Sequence, residues 1–461
     1  MSLERDNLSA NLTKCPNSPA RAQNDTSHCT RTRERASVTR VLGSATVRRA
    51  TRQPVSGPHV AEDVRLSAYA ADYRRQVDGV SVRTEITVAP AADVEIRRLT
   101  LTNRSGRRRR LLVTSYAEVL LGSQDADRRH PAFSKLFIDS EYLPDLGALL
   151  FRRRPRSAQQ SPLYLLHGLV LPPEMEPSDL YETDRATFIG RGRTVHAPRA
   201  LCAEGRGLTN TAGATLDPVM SLGQEVVLEE DETVTIAYLT LAAESRPEAI
   251  ALARSLHDLA AIEHAFTQAA LQSERESRDS GLGTVELRRI QQLFSVLTFP
   301  HKALRAPDPT LSANRRGQPG LWPYAISGDY PILLVHIDGP EQIDLVRELL
   351  RAHGYLRQRG VLTDLVIVND RDSGYAQELQ DLVQRVITRS SASGWLNQRG
   401  GVFTLRGDLL GRPERVLIDS AARVVLWGNR GPLADQLEAL RERPARPPLF
   451  VPTDTGVPPR A

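Results

Sequence analysis

Three stretches concentrate residue types that could do chemistry. Trp322, Tyr324, Ser327 and Asp329 set two aromatic faces beside a hydroxyl and a carboxylate within GLWPYAISGD. Sugar sites use that combination, because an aromatic ring covers the apolar face of a pyranose while polar groups take its hydroxyls. Trp322, Tyr324 and Asp329 are therefore the candidate carbohydrate-binding residues. The same stretch runs directly into an apolar segment, so packing at a domain junction is the competing reading. Asp179, Glu182 and Asp184 are spaced as a carboxylate pair for glycoside chemistry would be, or they are solvated loop acids. Residues 369–372 (NDRD) follow a candidate parallel strand, where ligands of such sheets bind. They could hold a cation or sugar hydroxyls, or form an Asx turn that caps the next helix.

Other chemistries find no support in the spacing. His130, His167 and His336 are isolated in the sequence, and no Ser/His/Asp arrangement can be built from them. No CxxC, HExxH or His/Cys cluster has metal-ligand spacing, no GxGxxG follows a strand, and no GxxxxGK[ST] occurs. Residues 190–193 (GRGR) lie between β segments rather than ahead of a helix, which disfavours a phosphate cradle. The sequence thus assigns no catalytic residue, no metal and no cofactor.

The elements that must position these residues centre on 320–370. Residues 331–337 (PILLVHI) form a short apolar run between Gly328-Asp329 and Asp338-Gly339, long enough for a strand and too short for a helix. Pro340 suits a first helical turn. Ile343, Leu345, Val346, Leu349 and Leu350 recur at helical spacing, and Gly354 or Gly360 can end that helix. Residues 362–368 (LTDLVIV) form a second apolar run. The pattern predicts a parallel βαβ unit buried on both faces.

Upstream the period is two. Residues 80–88, 94–103 and 111–121 alternate as strands with short turns between them. Further strands are expected at 133–141, 148–152 and 163–171, with two more in 226–241, and 179–192 reads as a loop. A sheet this extensive needs a second to cover it, so a large antiparallel β-sandwich is expected over 55–243. A helical connector follows over 244–300, with helices at 247–257, 260–278 and 284–297. A small doubly wound α/β domain is expected over 301–440, with helices at 375–388 and 432–442 and strands at 401–405 and 423–427. Residues 1–50 read as disordered or vestigial, and 441–461 as a Pro-rich tail.

Composition bounds the function. The 461 residues are 40% hydrophobic and 25% charged, as in ordinary globular proteins. The net charge of +5 invites a nucleic-acid reading. Arginine is spread along the chain, however, and its densest runs (107–110 and 152–156) carry no aromatic interleaving beyond Phe151, so nucleic acid is not an expected partner. No apolar run approaches 18 residues, and the first residues have no apolar core of a secretory signal. Cys15, Cys29 and Cys202 are too few for a disulfide framework. The expectation is a cytoplasmic location, or membrane association as part of a longer chain.

Six segments in register carry a resemblance: IRRLTLTNRSGRRRRLLVTSYAEVLL from Ile96, HPAFSKLFIDSEYL from His130, ETDRATFIGRGRTV from Glu182, LDPVMSL from Leu216, GLWPYAISGDYPILLVHID from Gly320 and ARVVLWGNRGPLADQL from Ala422. Together they resemble the cyclic β-1,2-glucan synthases in the glycoside hydrolase family 94 region (formerly glycosyltransferase family 36), and the 1,2-β-oligoglucan phosphorylases. The resemblance implies a supersandwich, a helical connector and an α/β piece. In that family a further (α/α)6 barrel holds the catalytic Asp, a general acid for inverting phosphorolysis. No segment here matches the barrel, so whether the chain is an enzyme stays open and no catalytic residue carries over. The expected function is a non-catalytic, carbohydrate-binding portion of a β-glucan-processing glycosyltransferase or phosphorylase, with β-1,2-glucan or a related oligosaccharide as ligand. The alternatives are a subunit of a split phosphorylase, active only with a separately encoded barrel partner, and a structural docking module.

Overall fold

The computed structural model describes residues 36–41, 47–49, 62–122, 124–155, 162–202, 207–371 and 376–441. Asp372, Cys15, Cys29 and the Pro-rich tail beyond 441 lie outside these. The chain divides into two compact units, residues 1–279 and 280–461. The boundary falls inside the segment expected as a helical connector.

The first unit is a β-sandwich. Its strands are β1 (Ala36–Val41), β2 (Val47–Arg49), β3 (Glu62–Leu66), β4 (Ala70–Val77), β5 (Val80–Val88), β6 (Val94–Asn103), β7 (Arg109–Glu118), β8 (Ile138–Leu143), β9 (Ala148–Arg153), β10 (Leu163–Val170), β11 (Leu180–Asp184), β12 (Gly213–Ala214), β13 (Pro218–Leu228) and β14 (Thr233–Ala243). One sheet runs β11-β13-β7-β1-β2 and the other β12-β8-β9-β10-β14-β6-β5-β4-β3. All the pairings are antiparallel. Period-two alternation explains the packing. Leu99 and Leu101 point inward from β6 and meet Leu111 and Val113 of β7, with Met220, Leu222, Ile236 and Tyr238 closing the same core.

Both faces of the larger sheet are covered. Val94, Ile96, Leu166, Leu239 and Leu241 form a second core with helices α4 (Arg246–Ser255) and α5 (Leu259–Asp279). Ser245 caps α4 by accepting from the Glu248 amide, as the Ser-x-x-Glu spacing requires. Short helices α1 (Gln124–Arg129), α2 (Pro131–Lys135) and α3 (Arg185–Ile189) precede these two.

Two differences from the sequence reading have identifiable physical causes. β1 and β2 lie within the segment read as disordered or vestigial; both are short, β2 pairs with β1, and β1 pairs with β7, far along the chain. Residues 179–192, read as a loop, hold β11 and α3. There Asp184 ends the strand and caps the helix, accepting from the Ala186 and Thr187 amides.

The second unit is a four-stranded parallel sheet with helices on both faces. Its strands are β15 (Ile332–Ile337), β16 (Asp364–Asn369), β17 (Val402–Arg406) and β18 (Val424–Trp427), in the order β17-β16-β15-β18. Every residue of β15 and β16 is buried, as strands covered on both faces must be. The helices are α6 (Thr284–Thr298), α7 (Asp308–Ala313), α8 (Ile343–Gln358), α9 (Ala376–Thr388), α10 (Arg412–Ala421) and α11 (Leu433–Glu438). Leu333, Val335 and Ile337 face the core shared with α6, α8, α9 and α11. Ile332 and Leu334 face the other core, with Leu417 and Ile418 of α10. Pairing with β15 passes from β16 on one side to β18 on the other, so the strand order reverses between β15 and β18. Sheets of this kind bind ligands at the carboxyl end of that reversal.

Candidate functional site

The reversal point holds a charged constellation. His336 is the fifth residue of β15 and lies in register with Trp427, the last of β18. Alternation turns both toward α10, so the imidazole and indole rings stack with centroids 4.2 Å apart and 11° between planes. Asp370 follows β16 directly and accepts from His336 Nδ1 at 2.6 Å. On α10, Asp419 accepts from Nε2 at 3.0 Å. Arg415, one helical turn earlier, pairs with the other oxygen of Asp370 at 2.8 Å. Both ring nitrogens face carboxylate oxygens, which only accept, so both must carry protons and the ring is an imidazolium.

The electrostatics agree with that assignment. Burial alone would push the His336 pKa down, but the hydrogen bonds and charges of Asp370 and Asp419 outweigh it and the pKa is raised. Burial would raise Asp370, but His336 and Arg415 together hold it below the usual carboxylate range. An imidazolium with both N–H groups engaged is neither a general base nor a metal ligand. The constellation fixes two carboxylates, a guanidinium and an indole at the carboxyl end of the sheet. Nearby, the Gln342 amide oxygen accepts from the Asp338 amide at 2.9 Å, and a Cβ on Gly428 would come 2.0 Å from that oxygen.

The residues chosen from the sequence lie at the other, amino end of the sheet. Asp329 pairs with Arg399 at 2.8 Å and accepts from Gln318 Nε2 at 3.0 Å. It lines a groove of about 380 Å³ together with Asn314, Arg316, Gln318, Tyr330 and Arg423. Trp322 is 60% exposed and is not part of this lining. Tyr324 is half-buried against the Leu321 and Ile332 core, and burial, then Glu414, raises its phenol pKa. The structure therefore places Asp329 in a polar groove and leaves the two aromatic residues outside its lining.

The other sequence candidates have structural duties. Glu182 is fully buried and accepts from the Thr183 amide (3.0 Å), the Asp184 amide (2.9 Å), the Thr209 amide (3.3 Å) and the Thr209 hydroxyl (2.5 Å). Asp184 caps α3, and Asp179 accepts from the Tyr142 hydroxyl at 2.6 Å. These acids do not share a cleft as a glycosidic pair would. Asn369 makes an Asx turn, accepting from the Arg371 amide at 3.1 Å. His167, isolated in sequence, lies within hydrogen-bond distance of Ser115 (2.8 Å, at Nε2) and Thr240 (3.0 Å, at Nδ1). All three are buried between the sheets, so the line is a strut from β7 to β10 and β14 rather than an open nucleophile site. The arginine run at 107–110 is engaged locally: Arg108 pairs with Glu229 at 3.0 Å, Arg110 with Glu225, and Arg109 donates to the Asp78 carbonyl at 2.6 Å. Among the described residues no group of His, Cys, Asp and Glu is placed to hold a metal ion, and no helix is long and apolar enough to cross a membrane.

Sequence reasoning missed the His336 cluster because its acids stand 34 and 83 residues away. One signal was available: Arg415 and Asp419 are charges four apart on a helix whose neighbouring Leu417 and Ile418 are buried.

The sequence model of the "Glycosyl hydrolase 94, supersandwich domain" matches residues 40–259. The chain is 34% identical over 391 residues to the cyclic beta-(1,2)-glucan synthase NdvB of Rhizobium meliloti (strain 1021). That match covers 84% of this chain and 14% of the relative's length. Among solved structures, a bacterial glucoamylase complexed with acarbose superposes with a TM-score of 0.36 at 9% identity, over 59% of this chain and 36% of that one. A putative kojibiose phosphorylase from the human microbiome gives 0.28 at 9%, over 52% and 28%.

Proposed function

We propose, for a chain that carries a glycoside hydrolase 94 supersandwich and belongs with the glucan-processing glycosyltransferases and phosphorylases, that it is a non-catalytic portion that holds β-1,2-glucan or a related oligosaccharide. The observation that carries the reading is the supersandwich match together with identity over 391 residues, a length that reaches beyond the first unit into the α/β unit. The site chemistry supports it. The amino-end groove offers amide, carboxylate and guanidinium groups for hydroxyls, with the exposed Trp322 ring outside its lining as a stacking face. The lack of a catalytic role is favoured by the duties of the candidate acids: Glu182 is enclosed by four donors, Asp184 caps a helix, and His336 is locked as a cation.

The test is direct. The purified chain is titrated with β-1,2-gluco-oligosaccharides by calorimetry and separately incubated with the glucan and phosphate. Saturable binding is expected, weakened by Trp322→Ala and by Asp329→Ala, with no glucose 1-phosphate released. Release of glucose 1-phosphate by the chain alone would overturn the non-catalytic reading, and absence of binding would overturn the carbohydrate reading.

A further inference from the structure

Five arginines line one valley of the second unit. The solvent face of α8 repeats Asp344, Arg347, Glu348 and Arg351 at helical spacing. Glu286 and Arg289 of α6 border one side, and Leu382, Arg385 and Val386 of α9, with Arg389 just beyond it, border the other. The valley encloses about 740 Å³. Its three acids are already engaged: Glu286 with Arg351 at 2.9 Å, Glu348 with Arg289 at 3.1 Å, and Asp344 with Arg347 at 2.5 Å. Among the described residues, Arg385 and Arg389 have no ion pair. They are exposed like charges one helical turn apart, an arrangement that disfavours a bare helix. Leu382 and Val386 are half-buried on the same wall, so the wall is apolar below and cationic above.

We propose that this valley docks an acidic amphipathic helix of a partner protein. Carboxylates four residues apart on that helix meet Arg385 and Arg389, and its apolar residues lie on Leu382 and Val386. Charge complementarity selects the partner, because the valley holds two guanidinium forks beyond what its own acids neutralise, and such forks pair carboxylates two oxygens at a time. Shape selects a helix. A valley along one helix between two flanking helices accepts a fourth at ordinary helix spacing. A nucleic acid fits less well, since no aromatic residue lines the valley for base stacking. A lipid surface does not suit a concave site.

The probe is a fluorescein-labelled 18-residue helical peptide with glutamates at every fourth position beside a leucine stripe. Its twin carries glutamine at each glutamate. Both are titrated against the full chain by fluorescence anisotropy in 50 mM and 500 mM NaCl. The glutamate peptide is expected to saturate. Binding should weaken at least tenfold in the glutamine twin, at least tenfold in R385E/R389E, and clearly at the higher salt. R254E, an exposed change in the other unit, should bind as the unaltered chain does. Both valley arginines are exposed, and circular dichroism confirms that the double variant is folded. No saturable binding, or equal binding by R385E/R389E, overturns the proposal. Full displacement of the peptide by millimolar inorganic phosphate overturns it in favour of a small-oxyanion site. A concentration-dependent dimer in sedimentation that R385E/R389E abolishes overturns it in favour of a second copy of this chain.

Discussion

Replacing His336 with Phe tests the charged constellation most sharply. Phenylalanine keeps a planar ring against Trp427 and removes both N–H donors. The side chain of His336 is 6% exposed, while those of Asp370 and Asp419 are 18% and 20% exposed. Removing one partner of a buried ion pair costs about 3–5 kcal/mol. The two carboxylates keep some access to water and Asp370 keeps Arg415, so the lower end applies, about 3 kcal/mol near pH 6. For a unit of this size that lowers Tm by about 6–12 °C. The pH dependence has a definite sign. His336 has a folded-state pKa raised above its unfolded value of about 6.5. Its contribution is therefore complete below pH 6.5 and fades as pH rises through the folded pKa. His353 acts oppositely. Burial, opposed by its hydrogen bonds to the Thr363 and Gly400 carbonyls, depresses its pKa, so only the difference between wild type and H336F isolates the constellation. The assay is urea unfolding followed by tryptophan fluorescence. All three tryptophans (Trp322, Trp395 and Trp427) lie in the second unit, so the signal reports that unit alone. The difference should be about 3 kcal/mol at pH 6 and smaller at pH 9. A difference that stays constant or grows with pH refutes the imidazolium assignment.

Three further outcomes follow from particular side chains. Asp364 is buried, and desolvation, only partly offset by the Gly400 amide and Arg399, raises its pKa to about 6. Its favourable contribution is full below the unfolded value near 3.9 and lost as pH rises through about 6, so the stability of wild type relative to D364N should fall by about 2–3 kcal/mol between pH 4 and pH 7; a flat difference in the same fluorescence titration refutes it. Glu182→Gln turns one accepting oxygen into a donor that faces other donors, and should destabilise the first unit by about 1–3 kcal/mol, read as a lower midpoint in circular dichroism while the tryptophan transition stays put. At Gly79, φ is +79° and an added Cβ would lie 2.6 Å from Ser105 Cβ. Gly79→Ala should cost about 1–3 kcal/mol, and Gly79→Asn should be no better despite the tolerance of Asn for that backbone region, because the steric contact with Ser105 dominates.

The fold was legible where period and burial agree. VSVRTEITV and VEIRRLTLTN became β5 and β6 over the residues expected, and PILLVHI and LTDLVIV became β15 and β16, displaced by a residue or two. Helices α4, α5 and α6 begin and end within two residues of their apolar periodicity. What escaped was decided by partners distant in sequence. β1 has little pattern of its own and takes its place from β7. β11 and α3 hang on Asp184 and on pairing with β13. Individual residues of the candidate site were visible, but which acid meets which base was not. His336 reads as isolated until parallel register and α10 bring Trp427, Asp370 and Asp419 around it.

The pairing of β1 with β7, and of β7 with β13, bears on the order in which the chain acquires structure. Ala36 lies opposite Tyr116 and Val219 opposite Glu118, so the smaller sheet closes only after roughly a hundred residues have been brought back together. In the second unit β15, β16 and β17 pair in the order they occur, across single crossover helices. After dilution from denaturant the tryptophan signal of residues 280–461 should therefore recover before the sheet signal of the first unit. During that interval the long apolar strands β7 and β13 stand open to other chains. Refolding yield should then fall with protein concentration through the slower unit, and a fragment lacking β1 should lose yield sooner than one lacking α11.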